Sequence, residues 1–428
     1  MKNSHHAGMS DATDPVKNET AVILGGGAAG IFAAIACAER SPNARVIVLE
    51  KSPDLLAKVH ISGGGRCNVC PACFEPKELV GCYPRGGKAL LGAFHKFQPR
   101  DTVEWFEKRG VPIKAEPDGR MFPASNNSQS IVHALLDAAK NVGVDIRTHQ
   151  GHPLIETIEN GFFKVQPQGA SAIVASALLV ATGGCRAGER DHPAVLLGHS
   201  LEPPVPSLFS MNLSDKWAKE LAGVSVPDVA LHMPSTRWSQ GGALLFTHAG
   251  ISGPAVLRLS AWGARDFSNM GYQFKIHADF LPRKNSDDIV RWFDRNRREN
   301  GAKSVESTPF NGLPLRLWKA LVSCAGLAVE TRWAMTRKED AASLLAWMKS
   351  APLNVSGKNA NKDEFVTCGG VNLKEVDFRT MESRICPGLY FAGEVLDVDG
   401  ITGGYNFQAA WTTGWLAGAA MSRQLSAQ

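Results

Sequence analysis

What this chain of 428 residues lacks narrows its function before any motif is read. No stretch approaches the run of roughly 20 apolar residues that a membrane-spanning helix requires, and the N-terminus lacks the charged-then-apolar layout of a signal peptide. A cytoplasmic protein without a membrane partner is therefore expected. Blocks of like charge are missing too: 46 basic side chains stand against 41 acidic ones, and the basic stretch from Arg291 to Arg298 is broken by Asp294 and followed by Glu299. That mixture reads as a solvated helix face, and no nucleic-acid partner is expected. There is no Ser/His/Asp order, H-E-x-x-H, paired-carboxylate pattern or P-loop, which argues against hydrolysis and phosphoryl transfer. No internal repeat stands out.

With 44% apolar and 20% charged residues, the composition supports packed cores rather than disorder, and the length suits two or three domains. Residues 1–20 are polar and aperiodic and read as a flexible leader, in which His5 and His6 are too few to hold a metal. The first informative segment follows. Ala21 to Leu24 is a short apolar run of buried parallel-strand type, and Gly25, Gly27 and Gly30 then fall in the pattern G-x-G-x-x-G, with Ala28 and Ala29 between them. An Ala-rich helix to Arg40, a turn at Ser41 to Asn43 and a second strand from Arg45 to Leu49 end at Glu50. In such a unit the first glycine allows a tight turn, the second lets backbone approach a pyrophosphate and the third permits close packing of helix and strand. The helix start donates free N–H groups to phosphate, and the terminal carboxylate suits ribose hydroxyls.

NAD and FAD share this fingerprint. The segment Lys58 to Asn68, which contains Ser62, Gly63, Gly64, Gly65, Arg66 and Cys67, is a glycine-rich loop whose amides can form an anion-binding nest beside a fixed cation. It resembles the S-G-G-G-R-C-N signature of the BaiN/YhiN-type flavoproteins. Further similarity follows in order along the chain: Gly119 to Pro123 (G-R-x-F-P), Ala181, Thr182, Gly183 and Gly184 (A-T-G-G), and Thr247 to Pro254 (T-H-x-G-x-S-G-P). The last block runs from Gly393 and Glu394 through Gly404, Tyr405, Asn406 and Gln408.

The resemblance implies an α/β protein in which a glutathione-reductase-like, FAD-binding Rossmann domain is made from both chain ends, with an inserted β-rich plus helical domain. The expected divisions are 21–194 and 361–428 for the FAD-binding parts and 195–360 for a substrate or cap domain. Non-covalent FAD would be held by the residues quoted above together with Lys51. Glu394 can accept from a ribityl hydroxyl, and the helix beginning near Asn406 can face the flavin's carbonyl edge. Within the insertion, strands are expected at Val229 to Met233 and Tyr272 to Ala278. Helices are expected from Ser286 to Glu299 and, with interruptions, from Leu313 to Trp347, and one should start after Ser252 as its cap with Pro254 in the first turn.

Arg66 and His248 are the catalytic candidates, as a cation near the reduced flavin and as a proton donor. Their structural alternatives are an ion pair and a packing histidine. Cys67, Cys70 and Cys73 stand in C-x-x-C-x-x-C spacing with Cys82 nearby. A cluster or zinc site and a redox-active pair are weighed against incidental reduced thiols, which are favoured, and no metal is expected. No second G-x-G-x-x-G is found, so NAD(P)H, if it is the donor, must enter the substrate cavity. The expected activity is hydride transfer between flavin and a small organic substrate, with NAD(P)H or oxygen as redox partner. A flavin-dependent RNA-modifying enzyme and a non-catalytic flavin-binding sensor are the alternatives.

Overall fold

The computed structural model describes residues 19–359 and 366–426, apart from 152, 187, 190 and 235. Nearly all of the expected leader, and the start of the second cofactor segment at 361, lie outside the described residues.

The elements that position the site are, in chain order, β1 (Thr20–Leu24), α1 (Ala28–Ala38), β2 (Arg45–Leu49), α2 (Ala57–Gly65), β3 (Asp145–Arg147), β4 (Ala177–Val180) and β5 (Leu201–Ser207). A second group follows: β6 (Met211–Leu213), β7 (Ser225–His232), β8 (Ser239–Phe246), β9 (Gly250–Ser252), α3 (Pro254–Trp262), β10 (Phe274–Asp279), α4 (Ser286–Glu299), α5 (Leu315–Cys324), α6 (Lys338–Ser350) and β11 (Ala351–Lys358). The chain then returns through β12 (Val366–Val371), β13 (Val376–Asp377), β14 (Glu382–Ser383) and β15 (Leu389–Phe391) to α7 (Tyr405–Ser426).

The first sheet has the order β13-β14-β15-β4-β1-β2-β3. Its five members from β15 to β3 are parallel, and at one edge β14 runs antiparallel to β15 and β13 antiparallel to β14. Every residue of β1, β4 and β15 is buried, which is why these segments read as unbroken apolar runs rather than alternating ones. Because β1 pairs in parallel with both β2 and β4, the strand order reverses at β1, and open α/β sheets bind ligands at the carboxyl end of such a point.

Helices α1 and α7 pack on one another through small residues. A Cβ added to Gly418 would stand 2.3 Å from the Ala33 carbonyl oxygen, and one at Gly414 would stand 2.6 Å from that of Ala29. These two glycines let the last helix lie on the first, so the chain ends meet in one layer. Phe32 of α1 contacts Trp105, Trp411 of α7 and Phe97 at centroid distances of 4.8, 5.4 and 5.6 Å. This apolar core draws its buried residues from 21–194 and 371–425.

A second core draws on residues 209–355. Its frame is a closed antiparallel barrel in the order β6-β9-β8-β7-β10-β11, onto which α3 to α6 pack. Between the two cores runs the antiparallel ribbon of β5 and β12. Helix α4 spans the expected residues and is capped by Asn285, whose side chain accepts from Asp288 N at 2.7 Å. The long helical stretch expected to Trp347 divides into α5 and α6. The start of α3 corrects one expectation: Gly253, at φ +100°, occupies the cap position, while Ser252 ends β9 and bonds the Ser210 hydroxyl at 2.6 Å. A side chain cannot stand at 253, because its Cβ would come within 2.8 Å of the Ala243 carbonyl oxygen.

Candidate active site

The turn from β1 into α1 is built from three glycines with three duties. Gly25 has φ +110°, and a Cβ there would lie 2.3 Å from the Ala181 carbonyl oxygen, so the turn needs both the conformation and the close approach that glycine provides. Gly30 faces inward: its Cβ would meet the Gly25 carbonyl oxygen at 2.0 Å. Gly27 faces outward, with nothing within 4 Å of a Cβ position. The N–H groups of Ala28, Ala29 and Gly30 open α1 and, among the described residues, bond no acceptor. Open space above free helix-end amides is what a diphosphate requires.

Glu50 follows β2 directly, beside this turn. Its Oε2 accepts from Gly26 N at 2.7 Å, and its Oε1 accepts from the backbone and hydroxyl of Ser52, both at 2.8 Å. The carboxylate is thereby fixed with lone pairs left for hydroxyl donors. Lys51 is exposed. On the other side of β1, Ala181, Thr182 and Gly183 follow β4, and Thr182 Oγ1 lies 3.4 Å from His192 Nε2.

The C-terminal block packs against the start of α1. A Cβ on Gly393 would touch Ala29 Cβ at 2.8 Å, and Gly393 N donates to Thr413 Oγ1 on α7 at 2.9 Å. Glu394 accepts from Thr367 N at 2.9 Å and from Lys58 Nζ on α2 at 2.6 Å. Helix α2 loses its regular conformation from Ser62 onward, where Gly63, Gly64 and Gly65 take φ of +59°, +68° and +80°. Past that loop, Asn68 accepts from Gly404 N at 3.0 Å in the amide orientation that satisfies both of its groups, and donates to Met121 O at 3.3 Å. Gly404 lies so close to Cys70 that a Cβ would stand 2.7 Å from its carbonyl carbon. Motifs separated along the chain are thus brought into contact in pairs: Gly25 with Ala181, Gly393 with Ala29, Glu394 with Lys58, and Asn68 with Gly404.

These residues fit FAD. The α1 amides and the open face of Gly27 would hold the pyrophosphate, Glu50 the adenosine ribose, and the first turn of α7 the flavin end. Other expected residues have different duties. Gln408 is fully buried, accepting from Thr102 Oγ1 at 2.9 Å and donating to Thr412 Oγ1 at 3.0 Å, so its side chain belongs to the α7 core. Asn406 clasps Gly400, accepting from its N at 2.8 Å and donating to its O at 3.0 Å. Arg66 takes the structural alternative: it pairs with Glu116 at 2.6 Å and lies 4.0 Å over the Phe122 ring. His248 is exposed at the hairpin between β8 and β9, where Thr247 N donates to Gly250 O at 2.8 Å.

The cysteines do not form an activated pair. Cys67 and Cys70 are fully buried, and burial pushes the Cys67 thiol up to about 12 and that of Cys70 well above its ordinary range. This opposes the lowering that a reactive C-x-x-C relies on.

Sequence reasoning passed over three groups. Tyr83 donates its hydroxyl to Tyr405 O at 2.6 Å, Thr413 holds the Gly393 turn, and Arg85 grips Asp399. The D-x-D-G in the C-terminal block was the available signal for the last. Among the described residues no helix is long and apolar enough to cross a membrane.

A family model described as HI0933-like protein Rossmann domain matches residues 19–420. The ribosomal RNA dihydrouridine synthase of Escherichia coli (strain K12) is 30% identical over 92% of this chain and 96% of its own length. The 3-dehydro-bile acid delta(4,6)-reductase of Clostridium scindens is 28% identical over 94% of this chain and 98% of its own. A solved 3-ketosteroid delta1-dehydrogenase from Sterolibacterium denitrificans aligns with a TM-score of 0.49 at 13% identity, covering 95% of this chain and 100% of that one. With the family match spanning both cofactor segments and the insertion between them, the chain belongs to the HI0933-like Rossmann-domain family and is an FAD-dependent oxidoreductase.

Proposed function

We propose that this enzyme reduces a carbon–carbon double bond conjugated to a carbonyl. Two relatives of nearly full coverage support the reading by their names, since a dihydrouridine synthase and a delta(4,6)-reductase each saturate such a bond. Bound reduced FAD supplies a hydride to one carbon of the double bond. The other carbon then needs a proton, and the observation that carries the proposal is a residue suited to give it.

Tyr405 is the first residue of α7, directly after the Gly403 and Gly404 turn at the flavin end. Its backbone is held by Tyr83, and its ring packs edge-on against the Tyr83 ring at 6.0 Å. Burial raises its hydroxyl well above the ordinary tyrosine range; a hydrogen bond with Cys82 and the nearby thiols act in the same direction, and Arg258 of α3 opposes them. Like any tyrosine hydroxyl it carries its proton at neutral pH, and it is the position of Tyr405 after the Gly403 and Gly404 turn that would let it donate to an enolate-like carbon. Arg258 brings a cation from the barrel side, where it can polarise a substrate carbonyl, and its Nε is buried with no hydrogen-bond partner among the described residues.

The electron donor in this reading is NADH or NADPH, docking where the substrate later docks, because the chain has one G-x-G-x-x-G. The test is anaerobic. The flavin should bleach with one nicotinamide nucleotide and regain its colour on addition of 2-cyclohexenone or of a uridine-containing ribosomal RNA fragment. Recovery with RNA alone would identify a uracil ring as substrate, and recovery with the enone alone would favour a small molecule. Tyr405→Phe should slow recolouring by about 100-fold, in the range of general-acid effects, with FAD content unchanged. Recovery by oxygen alone would refute the proposal.

A further inference from the structure

Arg85 joins four stretches of chain at one guanidinium. Its Nε donates to Asp399 Oδ1 at 2.5 Å and its Nη2 to Oδ2 of the same carboxylate. Nη1 donates to the Ala261 carbonyl on α3 at 2.6 Å, and Nη2 also reaches Ser207 Oγ, at the end of β5, at 3.4 Å. Ser207 completes the ring by donating to Asp399 Oδ2 at 2.7 Å. The Asp399 side chain is wholly buried and that of Arg85 is 14% exposed. Around the pair the two backbones run antiparallel: Arg85 and Asp399 form a bridge, and Ile401 N donates to Cys82 O at 2.9 Å. A second, looser clasp lies alongside, with Arg265 donating to Pro203 O at 3.0 Å and to Asp397 Oδ1 at 3.4 Å.

The partners lie on opposite sides of the seam between the two cores. Ala261 belongs to a helix on the barrel and Ser207 to the ribbon that leads into it. Asp399 begins the stretch that becomes the flavin-end turn: Gly400 is clasped by Asn406, Gly404 rests on Cys70, and α7 starts at Tyr405. A carboxylate this deeply buried needs both of its oxygens satisfied. The planar fork of arginine does that while leaving a third N–H free for the Ala261 carbonyl, whereas a lysine ammonium offers the charge without the fork.

We infer that Arg85 is a positioning residue for the cofactor: through Asp399 it fixes the 400–404 turn against the barrel, so that the first turn of α7 meets the flavin in one orientation. The inference rests on the FAD assignment and is independent of which double bond is reduced.

The test uses the purified full chain and measures FAD Kd and the flavin's visible spectrum, at a temperature where each variant is fully folded. Arg85→Lys retains the charge and should raise the Kd for FAD at least about ten-fold, as expected for loss of a charge-assisted bidentate contact, with a changed visible band shape. The double variant Arg85→Met with Asp399→Leu removes both buried charges and should restore thermal stability while the Kd stays raised. If the double variant regains both stability and wild-type Kd, the pair is packing glue and the inference falls. It falls equally if Arg85→Lys keeps its Kd within about two-fold of the wild type, while a raised Kd in both folded variants supports it.

Discussion

The three glycines of the β1–α1 turn give a prediction that separates fold from cofactor. Gly27 has φ −84° and nothing within 4 Å of a Cβ position, so Gly27→Val has room for its side chain in the empty protein and should change apoprotein stability by no more than about 0.5 kcal/mol. The same side chain occupies the face where a pyrophosphate must reach the α1 amides. Losing even one or two charge-assisted hydrogen bonds there costs about 3 kcal/mol, or about 100-fold in Kd. At Gly30 a Cβ would press on the Gly25 carbonyl oxygen at 2.0 Å, and a backbone atom cannot rotate aside. Gly30→Ala should therefore cost about 3 kcal/mol in overpacking, offset by about 1 kcal/mol of helix propensity. The assay is thermal unfolding of both apoproteins beside FAD titration by fluorescence quenching. Gly27→Val should lose FAD and keep its Tm, while Gly30→Ala should lose several degrees. A Gly27→Val protein that binds FAD within about two-fold of the wild type would refute this placement of the pyrophosphate.

Three further outcomes are expected. Glu394→Ala should weaken FAD about ten-fold or more in the same titration, because the carboxylate that Lys58 and Thr367 hold in place is removed from the flavin side; unchanged affinity would remove its ribityl role. Burial lowers the pKa of His192 and of His199, and burial with His232 and Lys275 lowers that of His277. Their neutral forms are favoured in the fold, so the stability they contribute is complete above about pH 6.5 and is lost as pH falls through their folded values; Tm should drop on acidification across that window, and a flat profile would contradict the burial. A thiol reagent at about pH 8 should leave Cys67 and Cys70 unmodified until the protein unfolds, as their raised pKa values and full burial require, and rapid labelling of either in the native protein would overturn that reading.

The Rossmann layer was legible in the sequence because each demand on backbone leaves a mark on residue type. The β1–α1 turn needs glycine at 25 and 30, where a Cβ would strike backbone, and strands buried on both faces need the continuous apolar runs at 21–24 and 177–180. The insertion was less legible. A helix cap can be serine or glycine, and only the approach of the Ala243 carbonyl decides for Gly253. Arg66 illustrates a different limit. Its place in S-G-G-G-R-C-N suggested a cation at the flavin, but the residue that neutralises it, Glu116, is 50 positions away and belongs to no motif. Side-chain pairing across that separation has no local signature. Gln408 failed for the same reason, since Thr102 lies 306 positions earlier.

The same limit applies to the proposed proton donor. Tyr405 was read as a cofactor contact from its position after Gly404, yet its distinctive property comes from Cys82, Tyr83 and Arg258, contributed by a loop outside the quoted blocks and by a helix of the barrel. Likewise Asp399 gains its meaning from Arg85, Ser207 and Ala261, which meet where the two cores join. Flavin chemistry needs little from the protein except orientation and a proton, so the residues that distinguish one reductase from another should lie on this seam rather than in the glycine motifs. Variants at Arg258 should therefore change the KM for the reducible substrate while leaving FAD Kd unchanged, whereas variants at Gly27 should do the reverse.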